Sequence, residues 1–387
     1  MRSIGWAVYL PTLLFGIGQG AIMPVVALSA RDLGASVATA GLVVALVGIG
    51  QVLGDLPAGW LAERVGERRA MVLAAALAVV ALIACLLATT LVVLGVAVCV
   101  TGLSAAVWGL ARQAYITDVA GPELRARALS TLGGTSRIGT FVGPFLSAAV
   151  MAWVGTDGAY GTHLVMAVLA ALVLVAMPGP RTPGMRRPPA RVSTARVVRQ
   201  QLPVLRTLGL AVLLVSAVRA SRQVVIPLWG DQLGLDPATT TLIFGISGAV
   251  DMLLFYPAGY VMDRFGRLWT AVPSMLVMAA ALALLPLTDG PGALTAVAVL
   301  LGVGNGMGSG IIMTLGADAS PIAGRSQFLG AWRLCADTGA GAGPLAIAGL
   351  TAATALAPAV VAMGAVGVLA VAALVRWTPR RKPSESA

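Results

Sequence analysis

"PAGWLAERVGERRA" runs from Pro57 to Ala70, and "PAGYVMDRFGRLWT" runs from Pro257 to Thr270. The two phrases lie 200 residues apart and share Pro-Ala-Gly, an acid followed by arginine, and a glycine just beyond. The same offset extends outward. Upstream, Leu33–Gly34 matches Leu233–Gly234, and Thr39, Leu42, Gly48 and Leu53 match Thr239, Leu242, Gly248 and Leu253. Downstream, Gly102, Asp118, Arg125, Gly139 and Gly143–Pro144 match Gly302, Asp318, Arg325, Gly339 and Gly343–Pro344. Low-complexity similarity would scatter glycines and leucines. It would not hold one register from Leu33 to Pro144, so the chain is an internal duplication.

The sequence around the repeat is apolar. Of 387 residues, 58% are hydrophobic and 11% charged, against about 25% charged in a soluble domain. Twelve stretches reach the roughly 20 apolar residues that cross a bilayer as a helix: 4–28, 38–61, 69–88, 91–113, 128–152, 160–178, 206–228, 238–261, 269–288, 292–315, 327–350 and 353–376. The duplication sorts them into six-helix bundles at 1–178 and 206–376, with a Pro/Arg-rich cytoplasmic linker at 179–205 and a tail at 377–387. The expected fold class is an all-α integral membrane protein of two pseudo-symmetric bundles. Two parallel six-span repeats are the signature of one transporter architecture, with binding near mid-membrane.

The net charge of +11 invites a nucleic-acid reading, but its distribution argues against one. Arg64, Arg68 and Arg69, then Arg125 and Arg127, fall in alternate loops. So do Arg181, Arg186, Arg187, Arg191, Arg196 and Arg199, then Arg264 and Arg267, then Arg325, and the tail holds Arg380, Arg381 and Lys382. The opposite loops hold essentially Arg31, beside Asp32. This positive-inside pattern predicts a multi-pass cell-membrane protein with both termini cytoplasmic. The N-terminal apolar run contains Pro11 and Pro24 and leads into further spans, so it reads as a first span rather than a cleaved signal. Cys85, Cys99 and Cys335 lie inside expected spans without metal-ligand spacing and read as packing residues. The single histidine, His163, cannot form a metal site alone. No metal or cofactor is expected, and the absence of a Gly-x-x-x-x-Gly-Lys-(Ser/Thr) loop argues against ATP.

The loop after the second span resembles the signature of the major facilitator superfamily, Gly-x-x-x-Asp-Arg-x-Gly-Arg-(Lys/Arg). The first copy reads Gly59, Glu63, Arg64, Gly66, Glu67 and Arg68, with Glu67 reversing the usual charge. The second copy reads Gly259, Asp263, Arg264, Gly266 and Arg267, departing only at Leu268. The resemblance implies a charged cytoplasmic latch that steadies the outward-open state, with Asp118 and Asp318 as acidic partners. Physically, Gly59 and Gly259 would permit close helix approach, and Gly66 and Gly266 a turn with positive φ. Glu63 or Asp263 would suit the N-terminal end of a neighbouring helix. Arg68 and Arg69 also read as plain positive-inside anchors.

Charges inside spans need a partner or a wet cavity, since each costs roughly 2.5–3.5 kcal/mol at a helix centre. Gln51 and Asp251 occupy corresponding positions, and Asp251 lies about 12 Å along the helix from Gly259. Arg219 and Arg222 share one face of span seven, and Arg333 and Asp337 share one face of span eleven. Arg137 sits in span five and Asp55 in span two, nearer the cytoplasm. Two readings stand. In one, Arg333 pairs with Asp337 and Asp251 neutralises an arginine of span seven. In the other, Asp251, Asp337 or Asp55 carries a coupling proton while Arg137, Arg219, Arg222, Arg333 and Gln51 line a substrate cavity. A carboxylate moved between an apolar surrounding and an arginine gains and loses its proton. The surplus of arginine weakly favours a substrate with acidic or strongly accepting groups.

Span five, "GGTSRIGTFVGPFLSAAV", resembles the antiporter motif of proton-coupled drug exporters through Gly134, Gly139, Gly143 and Pro144, with Ser147 and Ala148 in place of its closing glycines. The Gly-x-x-x-Gly-Pro portion recurs at Gly339, Gly343 and Pro344, so part of it reads as packing. The Pro-Glu-Ser-Pro-Arg-like stretch of sugar symporters is replaced by "MPGPRTPGMRR". Together these imply a secondary exporter and not an enzyme: a monomer in the bilayer that exchanges protons for a small amphipathic organic molecule, a drug or secondary metabolite. A proton-coupled importer is the alternative, and a non-transporting membrane sensor a more distant one.

Overall fold

The computed structural model describes residues 2–119, 125–176, 194–321 and 325–378, nearly all of them helical. The first half forms α1 (Arg2–Ile22), α2 (Val25–Asp32), α3 (Val37–Val65), α4 (Glu67–Leu86), α5 (Leu91–Val119), α6 (Arg125–Val154) and α7 (Asp157–Ala176). A short α8 (Thr194–Gln200) precedes α9 (Leu202–Gln232), α10 (Pro237–Phe265), α11 (Leu268–Leu284) and α12 (Pro291–Met307). The chain ends with α13 (Ile311–Ala319), α14 (Arg325–Ala353) and α15 (Leu356–Trp377).

Among the described residues, ten helices are long and apolar enough to span a membrane. An eleventh span arises if Val8–Ile22 and Val25–Asp32, which meet at 42°, are counted as one. The expected twelve therefore stand at ten or eleven. The expected eleventh span corresponds to α14, which has the length at 29 residues. It carries Arg333, Asp337 and many small residues, which keep it less apolar than the others.

Two compact units emerge: Met1–Gly184 with Gln223–Gly245, and Met185–Arg222 with Ile246–Ala387. In the first unit, Phe15 stacks on Trp108 at 4.2 Å and 9°, and His163 meets Phe15 edge-on at 5.6 Å. In the second, Trp332 of α14 donates its indole N–H to the Ile312 carbonyl of α13 at 2.8 Å.

The duplication is legible in the packing atom by atom. A Cβ added at Gly139 would lie 2.6 Å from the Leu13 carbonyl oxygen, and one at Gly339 2.2 Å from that of Leu213. At Gly143 the obstacle is the Ile17 carbonyl oxygen at 2.3 Å, and at Gly343 that of Ala217 at 2.2 Å. So α6 crosses α1, and α14 crosses α9, at a separation that only glycine allows. Ser104 of α5 donates to the Ala74 carbonyl of α4 at 2.7 Å; at the corresponding joint Ser274 of α11 donates to the Gly304 carbonyl of α12 at 2.6 Å. The same joint is bonded twice, with donor and acceptor exchanged between the helices. Gly66 and Gly266 both take positive φ, +86° and +103°, as the loop motif requires.

The symmetry fails in two places. α1 and α2 are separate where α9 runs unbroken from Leu202 to Gln232. Conversely, α5 is continuous where the second half breaks between α12 and α13, over residues 308–310. Gly310 sits in the left-handed region at φ +82°, a conformation that glycine adopts without strain.

Candidate functional site

The break between α12 and α13 is where Arg219, Arg222 and Asp251 of the second unit converge. Asp251 stands midway along α10. Its Oδ2 accepts a hydrogen bond from Asn305 Nδ2 at 2.6 Å and lies 3.6 Å from Arg222 Nη2. Its Oδ1 accepts from Ser309 Oγ at 3.5 Å. Arg222 in turn donates from Nη1 to Ser247 Oγ at 3.3 Å. One turn earlier on α9, Arg219 donates to the Gly308 carbonyl at 2.7 Å. That carbonyl lies at the helix break, where it also accepts from the Ile311 backbone N–H at 3.3 Å, so the arginine is a second donor to it.

The side chains of Arg222 and Asp251 are 11% and 17% exposed. A charge pair this sheltered needs additional hydrogen bonds to be tolerated, and Asn305, Ser309 and Ser247 supply them. Gly306 makes the approach possible, since a Cβ there would lie 2.8 Å from the Asp251 carbonyl oxygen. A carboxylate on α10, an arginine on α9 and uncharged donors on a broken helix form a compact set whose partners change if the carboxylate takes up a proton.

The other expected span charges lie apart from this set. Arg333 and Asp337 pair at 3.3 Å on their own helix, with Arg333 half exposed. Gln51, Asp55 and Arg137 belong to the first unit, each partly buried. One of the two readings of the sequence paired Asp251 with an arginine of span seven, and neither included Asn305, Ser309 or Ser247. The signal for Asn305 and Ser309 was the run "GNGMGSG" at 304–310, with too many glycines for an ordinary span; Ser247 left none.

The loop motifs differ between copies. In the second, Arg267 donates from Nε to Asp318 Oδ2 at 2.9 Å and from Nη2 to Oδ1 at 3.5 Å. It also pairs with Asp263 at 3.6 Å and donates to the Met262 carbonyl at 3.2 Å. In the first, Glu67 occupies the Arg267 position. Arg68 instead donates to the Leu174 and Val175 carbonyls in the last turn of α7, capping that helix. Arg64 lies over the Trp60 ring at 4.9 Å. Arg264 likewise turns to its own helix, donating to Tyr260 Oη at 2.7 Å and lying over Phe265 at 5.6 Å. The close approach expected at Gly259 does not occur, for a Cβ there would meet no atom within 4 Å, and Gly134 is equally open. The surroundings of Gly59 and the side chains of Glu63, Asp118, Arg125, Arg127 and Arg325 lie outside the described set, as do linker residues 179–193 and the Arg380–Lys382 tail.

At the other end of the helices, Arg31 Nε meets Asp231 Oδ2 at 2.7 Å within the first unit. The partners occupy corresponding positions of the two repeats, 200 residues apart. Arg31 also donates to the Ala35 carbonyl. Nearby, Asp236 caps α10 by accepting from the Thr239 backbone N–H at 2.9 Å. The Thr239 hydroxyl and N–H hold the Asp236 carboxyl below its ordinary value of 3.8. Ser36 caps α3 in the same way at Thr39, 3.1 Å. Among the described residues no group of three or more His, Cys, Asp or Glu gathers in a way that could hold a metal ion.

The Major Facilitator Superfamily model matches residues 8–221 and again 208–387. No curated protein matched the sequence. Among solved structures, a mutant of the nucleoside transporter NupG superposes with a TM-score of 0.78 at 12% identity, over 97% of this chain and 100% of that one. The inward-open xylose transporter XylE from E. coli gives 0.74 at 17% identity, over 99% and 97%. The human organic anion transporter MFSD10 gives 0.68 at 16% identity, over 96% and 99%. The chain belongs to the Major Facilitator Superfamily. It is a multi-span membrane protein of a transporter family, not an enzyme.

Proposed function

We propose that this protein is a proton-coupled secondary transporter of the cell membrane. In this reading it is a monomer with cytoplasmic termini that exports a small amphipathic organic compound, and Asp251 carries the coupling proton. The observation behind this is the arrangement on Asp251: a sheltered carboxylate held by Arg222, Asn305 and Ser309 beside a broken helix. Protonation of Asp251 removes its attraction for Arg222 and frees a guanidinium within the bilayer, where an accepting group on a substrate can replace the carboxylate. Loading a proton and loading a substrate then compete for one arginine, which is the linkage an exchanger needs. Export is supported by the antiporter-like Gly139, Gly143 and Pro144.

Proton-coupled uptake is the second reading. It is favoured by the equivalent packing of Gly339 and Gly343 on α9, which makes the Gly-Pro stretch a shared structural element of both halves.

The test uses purified protein in sealed liposomes with a trapped pH dye. A panel of lipophilic cationic, neutral and acidic compounds is added under an imposed proton gradient. The expected result is compound-dependent proton leakage that Asp251→Asn reduces to the protein-free background. Leakage that survives moves the coupling role to Asp337 or Asp55. Compound crossing without proton movement refutes proton coupling. The sign of compound accumulation separates export from uptake.

A further inference from the structure

We infer that the basic end of the first unit holds an anionic phospholipid, its phosphate between Arg64 and Arg69 and its acyl chains along α4 and α7. A cavity of about 530 Å³ opens there, lined by Arg64, Val65, Arg68, Arg69, Val72, Leu73 and Val175. Its polar lining is arginine alone. Arg68 is committed to the last carbonyls of α7. Arg69 makes no hydrogen bond or ion pair among the described residues, and Arg64 has only the Trp60 ring beneath it. The acidic neighbour on α4, Glu67, is not part of the lining. Two guanidiniums therefore line an apolar cleft with no anionic partner among the described residues.

The rest of the lining suits a lipid better than a soluble anion. Leu73 is 49% exposed and Val175 64%, an apolar strip below the arginines. Trp60, 57% exposed, marks the headgroup level, where amphipathic rings settle. Basic pockets between helices at a membrane boundary select anionic headgroups, with each arginine contributing about fivefold in affinity. The corresponding stretch of the second repeat has a different lining. Leu268 and Trp269 replace Arg68 and Arg69, and Arg267 is neutralised by Asp318.

The experiment purifies the full chain in the presence of equimolar dioleoylphosphatidylglycerol and dioleoylphosphatidylcholine, and reads the retained lipids by native mass spectrometry. Wild type is expected to enrich the anionic lipid several-fold. Arg64→Gln with Arg69→Gln removes the enrichment, whereas Arg196→Gln with Arg199→Gln on α8 leaves it. A second variant, Val72→Phe, keeps every charge, fills the cleft and lowers retention. Thermal unfolding in detergent checks that each variant is folded. Retention at the supplied ratio in wild type, or equal loss in the α8 control, overturns the proposal. Displacement of the lipid by millimolar inorganic phosphate also overturns it, by making the occupant a free anion.

Discussion

The two repeats share a scaffold and differ in what they hang on it. Where α6 meets α1 and α14 meets α9, the glycines, the opposing carbonyls and the spacing are the same. Where chemistry gathers, the copies part. Ile22 and Gln51 stand in the first copy where the second has the Arg222–Asp251 pair, and α5 runs unbroken through Trp108 where α12 stops at Gly308. The basic loop diverges in the opposite sense: in the first copy Arg64 and Arg69 make no ion pair among the described residues, while Arg267 of the second pairs with Asp318. The two copies therefore share their helix crossings and differ in where their charged side chains pair.

The largest expected effect tests the shared part. Gly143→Ala and Gly343→Ala each force a methyl group against a backbone carbonyl, at 2.3 Å and 2.2 Å. Overpacking of this kind costs about 1–3 kcal/mol. Both variants should lower the thermal unfolding midpoint in detergent by similar amounts. A large difference would mean that the two crossings, alike in geometry, are not alike in stability.

A smaller effect separates the two loops. Arg267→Gln removes a guanidinium that bridges Asp318 and Asp263, a loss of roughly 1 kcal/mol for a partly exposed network. Glu67→Gln at the matching position should change stability by less than about 0.5 kcal/mol. Unfolding curves of the two variants check the asymmetry, and equal shifts would remove it.

Much of this was legible in sequence because duplication writes itself in fixed positions. The Gly-Pro pairs marked helix crossings and Gly66/Gly266 marked turns, whereas the crossing expected at Gly259 of the second Pro-Ala-Gly does not occur. Helix periodicity put Arg219 and Arg222 on one face and Arg333 beside Asp337. It could not choose which arginine took Asp251, because residues three apart share a face. Asn305 and Ser309 were hidden for another reason: uncharged polar residues among glycines look like packing until the helix break turns them toward a carboxylate. Arg31 and Asp231 were separated by 200 residues with no local pattern to join them. The α7 carbonyls that Arg68 caps leave no mark in a side-chain sequence at all.

The smallest effect distinguishes the caps of α3 and α10, which do the same work with different chemistry. Ser36→Ala and Asp236→Ala should each cost roughly 0.5–1 kcal/mol near neutral pH, the low end of the cap range, since both residues lie at the surface. The hydroxyl cap has no charge to lose. The Asp236 carboxyl is held below its ordinary value of 3.8 by Thr239, so the folded state binds that proton more weakly than the unfolded chain does. Its contribution is fully present above the ordinary value and is lost as pH falls through the lower folded one. The gap between wild type and Asp236→Ala should therefore close below about pH 4, while the gap for Ser36→Ala stays constant. Unfolding midpoints measured from pH 7 to pH 3 read both gaps, and a Ser36→Ala gap that closed in parallel would show that acid weakens the whole end of the bundle rather than one cap.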